Sequence, residues 1–319
     1  MRLLHLLRHG RGLRHLPVIH PDRKDVSVRV ILRGLHGGAI DVTNDHIPVS
    51  LRPLVLGVQL AVANNEDIAA TATPSLELRD ARDQDRLLAR IDLKPVGALK
   101  LSGGELRLFE TSRCRNWCAP WLTRWARYAL AWQHARRAPA RGDALCMSAS
   151  DLRCLNAYYI VSRPVYLVSV AHEDRVNVFP MDLVGGISSG EFLLALRATS
   201  PAVVLIESSR RIAMSGAPGA HLASVYVLGT QHHRLTIDMS ELPFNVRASD
   251  SFGLPVLAEP GLVREVSVRD VHRVGSHVLF VTRVERESGV TVEQLAHVSG
   301  MYAEWLSRRG RALRALAAS

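Results

Sequence analysis

Between Leu262 and Glu285 the chain runs two alternating apolar–polar segments on either side of a single Gly275-Ser276 pair. Leu262 to Val274 and His277 to Glu285 each carry the period of a half-buried strand, and a glycine-led two-residue turn suits a tight hairpin. A hairpin cannot bury its apolar face alone, so it demands more strands around it. The sequence offers them. In Val26 to Leu60, Val28, Val30 and Leu32 alternate with other residues, and Leu54-Val55-Leu56 follows Pro53. Lys94 to Phe109 has hairpin character about Gly103-Gly104, and Pro164 to Val170, Arg175 to Phe179, Glu191 to Arg197 and Arg211 to Ser215 read as further strands. Helical signals are fewer. Asp80 to Ile91 suits a short surface helix. Thr199-Ser200-Pro201 offers hydroxyl caps and an early proline for a helix through Ser208. Ala220 to Leu228 is a second short helix stopped by Gly229, and Thr291 to Leu316 a C-terminal helix interrupted near Gly300 and Gly310. The expected class is mainly β with short helices.

At 319 residues the chain has length for two domains. Sliding residues 28–60 by 136 positions pairs Ile40-Asp41-Val42 with Val176-Asn177-Val178 and His36 with His172, without a gap. Such a match, though poor in identities, raises the expectation that the first half is a degenerate copy of the second.

The net charge of +10 is confined to particular segments. Residues 1–24 carry +5, residues 111–141 carry +7 and residues 305–319 carry +4, which leaves −6 for the rest. The whole-domain basic face that duplex binding needs is not indicated, so nucleic acid is not an expected partner. No apolar run approaches the ~20 residues of a bilayer span. Arg2, His5, Arg8 and His9 interrupt the leading leucines, so no signal-peptide core forms. Four cysteines are too few for a disulfide framework. A cytoplasmic setting is the expectation.

Trp117, Trp121, Trp125, Tyr128 and Trp132 fall at helical spacing between Arg113 and Arg137, with Arg124, Arg127, Arg136 and Arg137 in the same stretch. The first expectation is a linker helix whose aromatic stripe docks on the neighbouring domain. The alternatives are a membrane-surface helix and base stacking. Cys114 and Cys118 would share that helix, but no second pair completes a zinc site. His232-His233 lacks the companions a metal centre needs. No metal is expected.

Gly186-Ile187-Ser188-Ser189-Gly190 matches the nucleophile elbow of serine hydrolases. His36-Gly37-Gly38 imitates an oxyanion-hole segment, and Asp270 and His277 follow in triad order. The elbow needs a strand before Ser188 and a helix after it, within repeated βα units that this chain lacks.

The strongest pattern begins at Val165. Val165-Tyr166-Leu167-Val168-Ser169-Val170, then Asn177-Val178-Phe179-Pro180-Met181-Asp182, then Phe192 to Arg197, then Arg197-Ala198-Thr199-Ser200-Pro201 and Arg210-Arg211-Ile212-Ala213-Met214 follow in order. Gly275-Ser276-His277-Val278-Leu279-Phe280-Val281 comes later. The series resembles the flavin reductase-like, FMN-binding split-barrel family over residues 150–290. It departs from the family pattern at Ser276, where an acidic residue often precedes the histidine.

The resemblance implies an FMN-binding split β-barrel over residues 143–290; the residues before it lie outside the family pattern and read as a basic segment (1–24), a smaller β-rich domain (25–110) and the Trp/Arg-rich linker helix (111–142). Residues 291–319 follow as a C-terminal helix, and Ala138 to Gly142 would mark the boundary before the barrel. It also implies an oxidoreductase that moves hydride from NADH or NADPH to FMN, or FAD, and on to an acceptor. Arg197, Thr199 and Ser200 would hold the flavin phosphate, because charge-assisted donors at a helix start suit it, and Arg211 would also bind the cofactor. Asn177, Val178, Phe179, Pro180 and Met181 would form a loop presenting backbone amides to the ring, and His277 at a barrel mouth would orient the nicotinamide. A homodimer is expected, or a pseudo-dimer if the first half is a barrel copy. The rival functions are a split barrel kept only for binding and a hydrolase using Ser188.

Overall fold

A computed structural model describes residues 15–19, 28–35, 38–60, 73–137, 147–188, 190–311 and 313. His36, Ser189 and the boundary at 138–142 therefore lie outside the described residues, as do residues 1–14 of the basic N-terminal segment. The chain divides into two compact units, the first built chiefly from residues up to Ser162 and the second from Arg163–His297.

After a short strand β1 (His15–Ile19), the first unit holds β2 (Val28–Leu35), β3 (Gly38–Asp41), β4 (His46–Leu51), β5 (Leu54–Leu60), β6 (Ser75–Asp80), β7 (Arg86–Leu101) and β8 (Gly104–Asn116). They form one antiparallel sheet in the order β3-β2-β6-β7-β8-β5-β4. Leu32, Leu56, Leu78, Ile91 and Phe109 are fully buried in it. Helices α1 (Trp121–Arg137) and α2 (Ala149–Tyr158) follow.

The second unit has β9 (Arg163–Pro164), β10 (Tyr166–His172), β11 (Arg175–Met181), β12 (Val184–Gly186), β13 (Glu191–Arg197), β14 (Arg211–Gly216), β15 (Val246–Ala248), β16 (Pro255–Leu257), β17 (Val263–Val274) and β18 (His277–Ser288). Helices α3 (Ala202–Ser209) and α4 (Leu222–Gly229) interrupt the strands. The large sheet runs β11-β10-β14-β17-β18-β13-β12. It is mainly β, curled into a split barrel. Val168, Leu194, Ile206, Met214, Val266 and Phe280 form its core, so α3 packs its apolar side into the barrel.

The two strand orders are the same once β2 to β8 are matched in sequence with β10 to β14, β17 and β18. A shift of 136 positions places the starts of β2, β3, β4 and β5 within two residues of those of β10, β11, β12 and β13. The gapless match is therefore a repeat of architecture, and the first unit is a second copy of the barrel topology.

Several expected elements fold differently. Asp80 to Ile91 is a turn and the start of β7, not a helix. The buried Asp80 carboxylate accepts a hydrogen bond from the Arg82 N–H at 3.0 Å. Gln84 and Asp85 take φ of +50° and +57°, which ends any helix. Residues 295–299 form a strand, β19 (Leu295–Ser299), and helix α5 (Gly300–Ser307) begins only afterwards. Leu295 is captured by the backbone, donating to Ala217 O at 2.7 Å and accepting from Val165 N at 2.8 Å. Helix α3 starts at a Pro201 cap with no side-chain bond, so Thr199 and Ser200 do not cap it. Gly229 is the last residue of α4, and Thr230 ends it in ordinary right-handed geometry.

The aromatic segment also departs from expectation. Cys114 lies on β8 and Cys118 precedes α1, so the two do not share a helix. Trp121, Trp125 and Trp132 are 61%, 68% and 54% exposed, so the indoles of the stripe are not buried against the chain, and Tyr128 alone of the stripe is half-buried, with the Arg153 guanidinium 5.3 Å from its ring centre. The inward positions go to arginines. Arg127 is buried and pairs with Glu304 at 2.7 Å. Arg124 Nη1 donates to Asn116 O at 2.7 Å.

Candidate functional site

Strand register brings two of the expected residues face to face. Arg197, the last residue of β13, lies opposite His277, the first residue of β18. The Gly275-Ser276 turn makes this possible. Val274 pairs with His277, and Gly275 takes φ of +53°, which a glycine adopts without strain. Ala198 N donates to Ser276 O at 3.0 Å, tying the chain after β13 to that turn. Thr199 and Ser200 continue from Arg197 into a turn, with Thr199 exposed and Ser200 half-buried.

His277 is only 1% exposed, so its ring lies at the barrel rim by register but inside the protein by packing. Its Nδ1 is 2.9 Å from Ser276 Oγ. Burial, reinforced by the Arg197 charge, lowers its pKa to about 4. The imidazole is neutral near pH 7. It is a hydrogen-bonding group there, and Arg197 is the charge that the rim presents.

Arg211 is not part of this cluster. At the start of β14 it pairs with Ser267, whereas the Arg197 row meets β17 near Val274. Its guanidinium lies 5.5 Å from the Phe252 ring centre, an ordinary cation–π contact.

The Asn177–Met181 segment is strand β11 rather than a loop. Asn177 Nδ2 donates to Arg234 O at 2.8 Å and Leu235 O at 2.9 Å, which spends its amide on holding a loop. Val178 and Phe179 are buried in core clusters, and Pro180 faces Gly229 at the end of α4. Met181, at the strand end opposite Tyr166, is half-buried against the barrel core. The chain then turns beside β13, where Ala195 N donates to Leu183 O at 2.9 Å.

That turn carries a constellation that sequence reasoning missed. Asp182 Oδ2 lies 2.7 Å from Nδ1 of His297, and His297 Nε2 lies 2.9 Å from Tyr226 Oη. A carboxylate only accepts, which assigns the His297 proton to Nδ1 and leaves Nε2 to accept from the Tyr226 hydroxyl. Tyr226 is 44% exposed at the solvent end. Burial, then the Asp182 charge, raises its pKa, so the phenol keeps its proton at neutral pH. Such a chain can move a proton from Tyr226 Oη to His297 Nε2, with Asp182 steadying the resulting imidazolium. The three residues come from a turn, a helix and a strand, and of them only Asp182 stood within a motif that the sequence marked as functional.

The serine elbow is absent. Ser188 sits in the hairpin loop between β12 and β13, with a strand rather than a helix after it. His277 lies at the far end of β13, about 20 Å along the strand by its rise per residue. Among the described residues no cluster of His, Cys, Asp or Glu could hold a metal. A cavity of about 280 Å³ in the first unit, beside Lys94, Glu110 and Asp151, contains none of these groups. Asp151 there is spent on Leu54 N and Ser148.

Among the described residues the first barrel shows no counterpart of the Arg197–His277 row, since Gly104 stands after its hairpin turn where His277 stands in the second. Its last described pair between the matching strands is Leu60 opposite Glu105.

No protein-family model matches the sequence, and no curated protein matches it. Solved structures do. The chain is similar to an FMN-binding protein from Thermus thermophilus with bound p-hydroxybenzaldehyde, with 26% identity over 41% of this chain and 74% of that one, at a TM-score of 0.37. It is similar to an NADH:FAD oxidoreductase of Streptomyces globisporus, with 12% identity over 47% of this chain and 89% of the other, at a TM-score of 0.42. A styrene monooxygenase flavin reductase from Pseudomonas putida shows 18% identity over 43% and 87%, at 0.35.

The state of His277 has a measurable consequence. Its folded pKa of about 4 lies below the ordinary 6.5, so between those values the unfolded chain binds a proton that the folded chain refuses. Stability should therefore fall as pH drops through that window. The ring's NMR titration should have its midpoint near the lower value and move upward in Arg197→Ala. A midpoint at the ordinary value would contradict the burial described.

Proposed function

We propose that the second barrel binds FMN and serves as an oxidoreductase of flavin reductase type, with NADH or NADPH as the hydride source. The observation that carries this reading is the donor set after β13. Arg197 reaches the rim without a carboxylate partner among the described residues, beside two hydroxyls that cap nothing. A guanidinium with two hydroxyls at a turn entering a helix is a fitting set for a phosphate dianion. The residues present fit the group.

When bound, the flavin would supply hydride acceptance and transfer. The chain's own residues do the rest. Arg197, Thr199 and Ser200 hold the phosphate, and buried, neutral His277 supports the Arg197 strand end without competing for the anion. Tyr226 exchanges a proton with whatever substrate oxygen or nitrogen meets its Oη, and His297 relays it. The nicotinamide co-substrate and a homodimer belong to this same reading. So does the identity of the flavin, for which FAD offers the same phosphate chemistry next to the riboflavin unit.

Two titrations test it. A hydrogen bond to a charged group contributes roughly 1.5–3 kcal/mol. Arg197→Ala should weaken FMN by about 10- to 150-fold while leaving riboflavin affinity nearly unchanged. Equal losses for the two ligands would remove Arg197 from the phosphate site. Tyr226→Phe should keep FMN affinity and slow steady-state NADH oxidation by about 100-fold, the usual scale for losing a general acid or base. An unchanged rate would reduce the Asp182–His297–Tyr226 chain to a structural tie.

A further inference from the structure

Helix α1 is built inside out. Its mid-helix cations turn inward, Arg127 to Glu304 and Arg124 to the Asn116 carbonyl. Its indoles turn outward: Trp121, Trp125 and Trp132 are all exposed, joined by Leu122 and by Trp117 just before the helix. Trp305, the remaining tryptophan, is 4% exposed, so the protein does bury an indole where it has a core for one. Residues 121, 125 and 132 share one face over about 16 Å of helix. An exposed apolar patch of this kind marks an interaction surface.

Charge selects what the surface meets. Residues 111–141 hold seven arginines and no acid. Arg113 and Arg115, at the end of β8, are exposed. Arg127 is matched by Glu304, but the segment as a whole stays net positive, and a two-fold contact with a second copy would set like charges against each other. The complementary surface is anionic. A row of exposed indoles in a segment of net positive charge is a composition suited to a bilayer interface, rings among the headgroups and the exposed Arg113 and Arg115 available to phosphates. We propose that α1 seats the protein on an anionic lipid surface. The attachment is peripheral, since among the described residues no helix is long and apolar enough to cross a membrane. The inference is independent of the flavin reading.

The test is cosedimentation of the full-length protein with vesicles of phosphatidylglycerol and phosphatidylcholine in equal parts, against phosphatidylcholine alone, with tryptophan emission read in parallel. The free protein should emit as exposed indole does. Anionic vesicles should pellet it and shift the emission to the blue, while zwitterionic vesicles do neither. Raising the salt until the Debye length falls to about 3 Å should release much of it. Trp121→Ser/Trp125→Ser should lower partitioning by roughly tenfold or more, with the circular dichroism spectrum unchanged. Failure to pellet with anionic vesicles, or equal pelleting with both kinds, overturns the proposal. So does self-association without lipid that the same double substitution abolishes, because the face would then be a contact between copies.

Discussion

The β17–β18 hairpin is the constraint on which the second barrel depends. Each strand is twelve residues long, and between them they occupy the centre of the seven-stranded sheet. β14 adds to one side and β13 to the other, so their positions follow from the hairpin's register. Because Gly275 turns the chain tightly, His277 is placed at the first paired row, and β13 then delivers Arg197 beside it. The candidate anion site is thus a consequence of strand pairing. A slip of one residue would turn Arg197 to the opposite face.

Much of this was legible because strands advertise themselves by alternation. Glu191 to Arg197 and the hairpin around Gly275-Ser276 stand where the pattern puts them. The resemblance likewise marked Arg197 and His277 on separate segments, and the register joins them. What stayed hidden depends on contacts between distant segments. Residues 80–91 have a helical composition, but the buried Asp80 carboxylate caps a turn instead. The aromatic stripe of α1 reads as a docking face until Arg127 is found paired with Glu304, which turns the helix over. The Tyr226–His297–Asp182 chain gathers residues separated by up to 115 positions, and no local pattern announces it.

The repeated strand order gives the chain two barrels that differ where the chemistry matters. At the row that follows the hairpin turn one presents Arg197 opposite His277, whereas the other has Gly104 in the place of His277. A glycine at that position offers no side-chain group to a ligand. The same topology thus carries the Arg197–His277 row in one copy and, among the described residues, no equivalent of it in the other. Strand order follows from burying apolar faces and survives large changes of sequence, whereas a binding row is lost with two side chains.

Isothermal titration of the full-length protein with FMN tests this asymmetry most directly. The account predicts one FMN per chain, with the site removed by Arg197→Ala. Two equivalent sites per chain, or a single site that survives that substitution, would contradict it.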